Sequence, residues 1–317
     1  MSIIETRGLR RTFGRRGQVV EADAGVDLAV EAGEIFGFLG PNGAGKTTTL
    51  RMLTTLLTPS GGEATVAGCD LRRAPHRVRE RIGYVGQQGG ADLQVTARSE
   101  LVLQCRLHGI PKAQAQRRAA ELLALVDLEA AADRRTGTYS GGQRRRLDIA
   151  IGLAHRPQVL FLDEPTTGLD PQSRARVWDE VRRLREDGVT VFLTTHYLDE
   201  ADALCDRLAI IDQGRIVTEG TPSDLKRQIA GDVVTLSLGG EAERGLLLLR
   251  AQPFVREAVA EDGVLRLTVE RGESAMPAIL RLLDGAGLEL NEIALTRPSL
   301  DDVFLRQTGR SLREVAA

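Results

Sequence analysis

Cysteines and long apolar runs are both scarce in this chain. Only three of its 317 residues are cysteines, and they are Cys69, Cys105 and Cys205. Their isolation and odd number exclude a CxxC motif or a cysteine-based metal site, and favour reduced, mostly buried thiols. The longest leucine run covers residues 246–249, whereas a membrane span needs about 18 apolar residues. Residues 1–7 have no apolar core long enough for a signal peptide, so any membrane contact is expected to pass through a partner.

An excess of charge of either sign is also lacking. Forty-two basic residues stand against 44 acidic ones, which gives a formal net charge of −2. This balance argues against the large basic surface of a protein whose main partner is nucleic acid. Hydrophobic residues make up 42% of the chain, enough for a core, so global disorder is excluded as well. The length suits one full-sized domain with a smaller one.

The pattern of apolar residues changes near Gly220-Thr221-Pro222. Before it, over residues 1–221, short apolar strands alternate with helical segments, as an α/β sheet requires. After it, residues 222–317 read as a small α+β domain. There we predict a strand at 234–238, a hairpin of 255–259 with 265–269 through Asp262-Gly263, a helix carrying Ile279 and Leu283, and a strand alternating Leu288, Leu290 and Ile293. Ser299 is placed to cap a last helix over 300–305.

A glycine-rich loop lies between an apolar strand, residues 35–39, and a helix in which Leu50, Leu53 and Leu57 share one face. Glycines let the backbone curl so that its N–H groups point at phosphate oxygens, and the helix N-terminus adds partial positive charge. Such a loop predicts nucleotide binding, with Lys46 at the β- and γ-phosphates and the Thr47 hydroxyl on Mg²⁺. The predicted ATP-binding residues are Gly40, Pro41, Asn42, Gly43, Ala44, Gly45, Lys46, Thr47 and Thr48.

An acidic pair, Asp163 and Glu164, ends a second apolar strand. Strand ends of an open parallel sheet present their side chains to ligands, and two adjacent carboxylates are costly to bury without a cation. We therefore expect Asp163 to hold Mg²⁺ and Glu164 to orient or deprotonate the attacking water. The alternative is an acidic pair that merely faces solvent.

A serine-glycine turn, Tyr139 to Gln143, begins a later helix. The Ser140 hydroxyl and the glycine amides at a helix start form a second anion site. The three arginines that follow, 144–146, are interpreted as a solvated helix face, with direct contact to phosphate as the less favoured alternative.

These motifs, in this order, resemble those of ATP-binding cassette (ABC) ATPases over residues 1 to about 220. The resemblance implies a P-loop core with a helical subdomain at about 88–156, working as a head-to-tail homodimer with two ATP molecules between the chains. It also implies roles for further residues. Gln87 contacts Mg²⁺ and the attacking water, His196 contacts the γ-phosphate, Phe13 stacks on adenine, and Ser140, Gly141, Gly142, Gln143 and Asp170 close the site of the opposite subunit.

Two positions depart from the family pattern. Tyr139 stands where the family most often has leucine, and Gly86 stands where many members have proline. With Gly89 and Gly90, Gly86 is expected to make the loop around Gln87 more flexible.

The C-terminal segment 297–305 resembles the end of ATP-binding subunits of the daunorubicin/doxorubicin-resistance type. That resemblance implies a separate multi-helix permease, efflux of a drug or other hydrophobic compound, and a peripheral location on the cytoplasmic face of the membrane. An importer ATPase and an exporter of lipids or ions stay open as alternatives. A soluble ABC ATPase of DNA repair or translation is less favoured, because no long insertion separates Lys46 from Ser140 and no second cassette is present.

Overall fold

The computed structural model describes residues 2–15, 18–228, 231–238, 241–261 and 264–309. The chain divides into two compact units, and the boundary along the sequence lies between Thr221 and Pro222. The strands of the first unit are β1 (Ser2–Arg15), β2 (Gln18–Glu31), β3 (Ile35–Leu39), β4 (Gly61–Val66), β5 (Cys69–Asp70), β6 (Ile82–Val85), β7 (Val159–Asp163), β8 (Thr190–Thr195), β9 (Arg207–Asp212) and β10 (Arg215–Gly220). Its helices are α1 (Lys46–Leu53), α2 (Pro75–Arg81), α3 (Ala97–Leu107), α4 (Lys112–Leu125), α5 (Gly141–Gly152), α6 (Pro171–Glu186) and α7 (Leu198–Leu204).

The central sheet of the first unit has six strands in the order β10-β9-β3-β8-β7-β6. Strands β9, β3, β8, β7 and β6 run parallel, and β10 pairs antiparallel with β9. Every residue of β3, β7 and β8 is buried, which is why each strand contains an apolar run. Parallel strands end at one edge of a sheet, so the segments that follow β3, β6, β7 and β8 meet there.

Two further parts complete the first unit. A four-stranded antiparallel sheet has the order β2-β1-β4-β5. Helices α3, α4 and α5 lie between β6 and β7 in the chain and contact one another. The predicted α/β fold, a P-loop core with a helical part, is confirmed.

The second unit is a smaller α+β structure around its own apolar core. Its four strands form an antiparallel sheet in the order β12-β13-β11-β14. Its elements are α8 (Pro222–Arg227), β11 (Asp232–Ser237), α9 (Ala242–Arg250), β12 (Val255–Glu261), β13 (Val264–Val269), α10 (Gly272–Gly285), β14 (Glu292–Thr296) and α11 (Leu300–Thr308). The predicted C-terminal α+β fold is therefore confirmed.

The local predictions in this unit had mixed outcomes. Strands β12 and β13 pair as expected, although Asp262-Gly263 lies outside the described residues. The strand expected from Leu288 was wrong at its start, since β14 begins at Glu292. The Leu288 amide donates to Leu283 O at 3.0 Å and so closes the end of α10 instead. Ser299 caps α11 as predicted, since the Asp302 amide donates to its hydroxyl, and the helix runs on to Thr308.

Two predictions about what the chain lacks concern the described residues alone. In that part of the chain no helix combines the length and the hydropathy that crossing a membrane requires. All three cysteines are free thiols with buried side chains, as expected.

Candidate active site

The loop between β3 and α1 forms a curled cradle. Gly43 and Gly45 have φ values of 81° and 109°, a left-handed conformation that strains any residue with a Cβ atom. Lys46 begins α1, and its ammonium donates to Gly40 O at 2.7 Å and to Pro41 O at 3.0 Å. The Lys46 side chain thus crosses the loop with its charge held at the cradle, where phosphate oxygens bind in P-loop proteins.

A cavity of about 150 Å³ lies against this loop. It brings together parts of the chain that are far apart in sequence, namely the loop, Gln87 from the segment after β6, and Glu164 from the end of β7. The predicted site residues that line it are Pro41, Asn42, Gly43, Gly45, Lys46, Thr47, Thr48, Gln87 and Glu164.

Thr47 and Asp163 form a second contact between the loop and β7. The Thr47 hydroxyl donates to Asp163 Oδ1 at 3.1 Å, and the Thr194 hydroxyl donates to the same oxygen at 2.7 Å. One hydroxyl and one carboxylate are hard oxygen donors, and Mg²⁺ is usually held by few protein oxygens together with substrate phosphates. The residues present therefore fit a Mg²⁺ ion bound with ATP.

Glu164 is held in an unusual conformation beside two basic side chains. Its φ of 46° is rare for a residue other than glycine. Its Oε1 lies 3.4 Å from Lys46 Nζ, and its Oε2 lies 3.3 Å from His196 Nδ1, without the geometry of a directed hydrogen bond to the imidazole. Burial by itself raises the pKa of Glu164, but His196 and Lys46 outweigh it and lower the pKa to about 2. The carboxylate is therefore ionised at neutral pH and can accept a hydrogen bond from water.

The serine-glycine turn at residues 139–143, or signature turn, lies beside the segment that precedes α6. Ser140 caps α5, accepting from the Gln143 amide at 3.2 Å, while the Gln143 side chain accepts from the Ser140 amide at 3.0 Å. Asp170 caps α6, accepting from the Ser173 amide at 2.9 Å. A Cβ on Gly142 would lie 2.6 Å from Ser173 Oγ, so only glycine fits between the two helix starts.

Ser140 and Asp170 are both exposed, and neither is among the described residues that line the cavity. The predicted site residues thus form two groups within one chain. Phe13 belongs to neither group. Its ring is 41% exposed and lies under the Arg11 guanidinium, 4.8 Å from its centroid. Gly40 and Ala44 belong to the loop but do not line the cavity.

The structure explains the tyrosine at the start of the signature. The Tyr139 ring is buried, and its hydroxyl donates to Ala131 O at 2.7 Å. A leucine could fill the space but could not donate this hydrogen bond to the Ala131 carbonyl, which also accepts from the Arg134 amide at 3.0 Å. Tyr139 therefore ties the signature turn to the chain segment that precedes it.

The interpretation of residues 144–146 as a solvated face was wrong. Arg144 is exposed, but Arg145 and Arg146 are only 7% and 5% exposed. Arg145 donates to Pro165 O at 2.7 Å, to Gly86 O at 2.6 Å and to Asp163 O at 3.1 Å. Consecutive helical residues point about 100° apart, so three in a row span about 200° and cannot all face solvent on a packed helix. That spacing was the signal available in the sequence.

A buried carboxylate lies against the helix that follows the loop. Asp23 is fully buried, its Oδ1 accepts from the Thr49 hydroxyl at 2.9 Å, and its Oδ2 has no partner among the described residues. Burial raises its pKa to about 7, although the Thr49 hydrogen bond acts in the opposite direction. The folded chain therefore binds a proton here more tightly than the unfolded chain does.

Asp23→Asn is expected to increase the free energy of unfolding at pH 8 by about 1–2 kcal/mol and to have little effect near pH 4. Between pH 4 and 7 the folded state holds more protons than the unfolded state, so wild-type stability falls as the pH rises through this window. Urea unfolding of both proteins at pH 4 and pH 8 checks the difference. Asp187→Asn, at an exposed position, is the control, and an equal pH dependence of Asp23→Asn and wild type would contradict the prediction.

Comparisons with known proteins bear on both parts of the chain. A family model described as "ABC transporter" matches residues 24–167, and one described as "ATP-binding protein DrrA1-3-like, C-terminal domain" matches residues 220–308. The chain is 46% identical to the daunorubicin resistance ATP-binding protein DrrA2 of Streptomyces coeruleorubidus, over 99% of this chain and 97% of that protein. It is 40% identical to the Nod factor export ATP-binding protein I of Ralstonia nicotianae, over 98% of this chain and 95% of that protein.

Among solved structures, the chain resembles the dimeric post-hydrolysis state of the ATP-binding cassette MJ0796 bound to ADP and phosphate. The TM-score is 0.63 at 26% identity, over 69% of this chain and 98% of that one. The fold and the cradle site therefore define an ATP-binding cassette ATPase. This chain belongs to the ABC transporter family, in the group of ATP-binding proteins of the daunorubicin and doxorubicin resistance type. It binds ATP, and its activity is ATP hydrolysis in transport.

Proposed function

We propose that this chain is the ATPase subunit of a bacterial ABC exporter, in which it works as a homodimer on a separate membrane permease. The relatives named for daunorubicin and doxorubicin resistance support efflux of a drug or another hydrophobic compound as its task. The nucleotide-binding domain is proposed to comprise residues 1–221, with the helical subdomain at about 88–156, and the accessory domain residues 222–317. The assembly would lie on the cytoplasmic face of the membrane.

The observation that supports a homodimer is the separation of the two groups of site residues. Within one chain, Lys46, Thr47, Gln87 and Glu164 line the cavity, while the exposed Ser140 stands outside it with its hydroxyl at a helix start. The N-terminus of α5 favours an anion, and the phosphate loop of the same chain lies in the other group of site residues. We therefore assign it to the γ-phosphate bound by a second copy of the chain, with Gly141, Gly142, Gln143 and Asp170 beside it.

Within each site, each side chain would have its own role in binding and hydrolysing one ATP. Lys46 and the loop amides would hold the phosphates, and His196 would contact the γ-phosphate from the end of β8. Glu164, which is ionised and lines the cavity, would orient the attacking water, and Gln87 would contact the same water. Thr47, Asp163 and Gln87 would hold Mg²⁺, which neutralises phosphate charge during transfer. Phe13 would stack on adenine.

The transported compound has to be considered separately, because the relatives are named after different compounds. One is named for daunorubicin resistance and another for Nod factor export, although both are similar to this chain over nearly its full length. A drug such as daunorubicin and a Nod factor are therefore the two cargoes that these names suggest. The permease would bind either one, while this chain supplies the hydrolysis.

A tagged full-length chain is expected to co-purify with a multi-span membrane protein from gently solubilised membranes of its own host. Mass spectrometry of the purified complex identifies that partner by its roughly six apolar spans. Recovery of the tagged chain with no multi-span protein, under conditions that keep a reference ABC transporter intact, would contradict the exporter assignment.

A further inference from the structure

The signature helix α5 contacts the catalytic residues of its own chain through two side chains. We propose that Arg145 and Asp148 are positioning residues for ATP hydrolysis, which together set the places of Gln87 and Glu164. They lie three residues apart and so share one face of α5. The inference rests on the roles proposed above for Gln87 and Glu164.

Arg145 holds the backbone on both sides of Glu164. Its guanidinium donates to Asp163 O at 3.1 Å, in the peptide before Glu164, and to Pro165 O at 2.7 Å, just after it. Glu164 has the rare φ of 46°, and such a conformation persists only where the surroundings impose it. Two directed hydrogen bonds from one planar fork, on either side of the strained residue, supply that constraint. Loss of the fork would let the turn relax and the carboxylate rotate away from the cavity.

The same face of α5 holds the loop that carries Gln87 at both ends. Arg145 donates to Gly86 O at 2.6 Å, and Asp148 Oδ1 accepts from the Gly90 amide at 3.0 Å. A Cβ on Gly89 would lie 2.8 Å from Asp148 Oδ2, so the loop passes directly against this carboxylate. Of the three glycines in this loop, Gly89 is the one that allows this close approach to α5. Gln87 is exposed between two anchored points.

The free-energy cost of burying Arg145 and Asp148 argues against a role in filling space alone. Arg145 and Asp148 are each 7% exposed, and removing a guanidinium or a carboxylate from water is expensive unless its hydrogen bonds are replaced. An apolar residue would fill the same space at lower cost. What only the charged pair provides is a set of directed hydrogen bonds to four points on the catalytic loops.

The consequence is a mechanical link between the two sites of a dimer. Ser140 stands at the N-terminus of α5 and is assigned to the ATP of the partner copy, whereas Arg145 lies little more than one turn further along. When α5 shifts as the signature closes on that ATP, the carbonyls of Gly86, Asp163 and Pro165 in its own chain must follow. Closure on one nucleotide would thereby adjust the water-orienting groups at the other.

The test compares Arg145→Met with Arg146→Met in the full-length chain. Arg146 is the matched control, because it is equally buried and donates to Val126 O and Asp127 O instead of the catalytic loops. Arg145→Met is expected to lower kcat by about 10- to 100-fold, the size of effect that a misplaced catalytic group produces. The KM for ATP should change less than about 2-fold, since Lys46 and the phosphate loop are untouched. Arg146→Met should lower Tm while leaving kcat per folded molecule unchanged.

Two conservative changes separate hydrogen bonding from charge. Arg145→Lys keeps the charge but cannot reach three carbonyls at once, so it should recover only part of kcat. Asp148→Asn keeps an acceptor for the Gly90 amide and should retain more activity than Asp148→Ala.

Amide hydrogen exchange gives a readout that does not depend on turnover. Exchange in segments 86–90 and 164–167 should be faster in Arg145→Met than in wild type or Arg146→Met. Wild-type kcat with wild-type exchange in Arg145→Met would overturn the proposal, as would an equal loss of kcat in Arg146→Met or a rise in KM alone. Unchanged ATPase in Glu164→Gln would instead overturn the role of Glu164, while the exchange pattern would still report on the anchoring.

Discussion

Replacing Glu164 with glutamine is expected to lower the ATPase rate by about 100-fold or more, which is the usual contribution of a positioned acid–base group. The pKa of this carboxyl is lowered to about 2 beside His196 and Lys46, so it carries its charge at neutral pH. An amide has nearly the same shape but cannot attract a proton of the attacking water in the same way. Turnover should therefore stop after ATP has bound.

The same variant should also trap the ATP-bound dimer. Glutamine leaves the loop, Lys46 and the signature turn of the partner unchanged, so binding and closure remain possible while opening by hydrolysis does not. Size-exclusion chromatography with MgATP should show a dimer for Glu164→Gln and a weaker or absent dimer without nucleotide. Glu186→Gln, at the exposed end of α6, serves as the control and should behave as wild type. A Glu164→Gln chain with normal turnover, or one that stays monomeric with MgATP, would contradict the assignment.

Mixing two inactive variants is expected to restore ATPase activity. Lys46→Ala removes the ammonium that crosses the phosphate loop, and Ser140→Arg fills the exposed helix start with a bulky side chain, so each variant alone should be almost inactive. In a mixed dimer the intact Ser140 of the first chain meets the intact Lys46 of the second, and one of the two sites is complete. Random pairing makes half of the dimers mixed, so the activity should recover to about a quarter of the wild-type rate.

The recovery depends on a site shared between two chains. A site completed within one chain would give no recovery at any mixing ratio. Two controls are decisive. In the first, a chain that carries both substitutions is mixed with wild type, and in the second, each single variant is assayed alone. Mixed dimers of the doubly substituted chain contain no complete site, so that mixture should show only the activity of the wild-type homodimers. At equal amounts this is about a quarter of the wild-type rate. Half of the wild-type rate in that mixture, with no activity in the mixture of the two single variants, would contradict the shared site.

Local chemistry made much of the site predictable from the sequence. Gly43 and Gly45 adopt backbone conformations that few other residues tolerate, and Lys46 starts the helix next to them. Asp163 ends a buried strand, where neighbouring strands of a parallel sheet also end. Each of these features depends on a handful of adjacent residues, so a short motif carries it. The cap formed by Ser299 was predictable for the same reason.

The interactions of Arg145 and Tyr139 could not be predicted in that way. Arg145 contacts carbonyls near residues 86 and 165, and Tyr139 contacts Ala131 O across an irregular segment. Backbone carbonyls are present at every residue, so the sequence contains no mark of which ones a guanidinium or a phenol will reach. The start of β14 failed for a related reason, because Leu288 is apolar whether it continues a strand or closes a helix.

By itself, then, the sequence determined the ABC family of this protein, and it predicted the phosphate loop, the acidic pair and the second anion site. The tertiary structure decided how these parts are arranged: Thr47 next to Asp163, Glu164 between Lys46 and His196, and two buried charges of α5 against the catalytic loops. The reason is the distance along the chain between the residues that interact. Backbone conformation and helix starts follow from neighbouring residues, whereas the directed contacts of buried polar side chains depend on where distant segments meet.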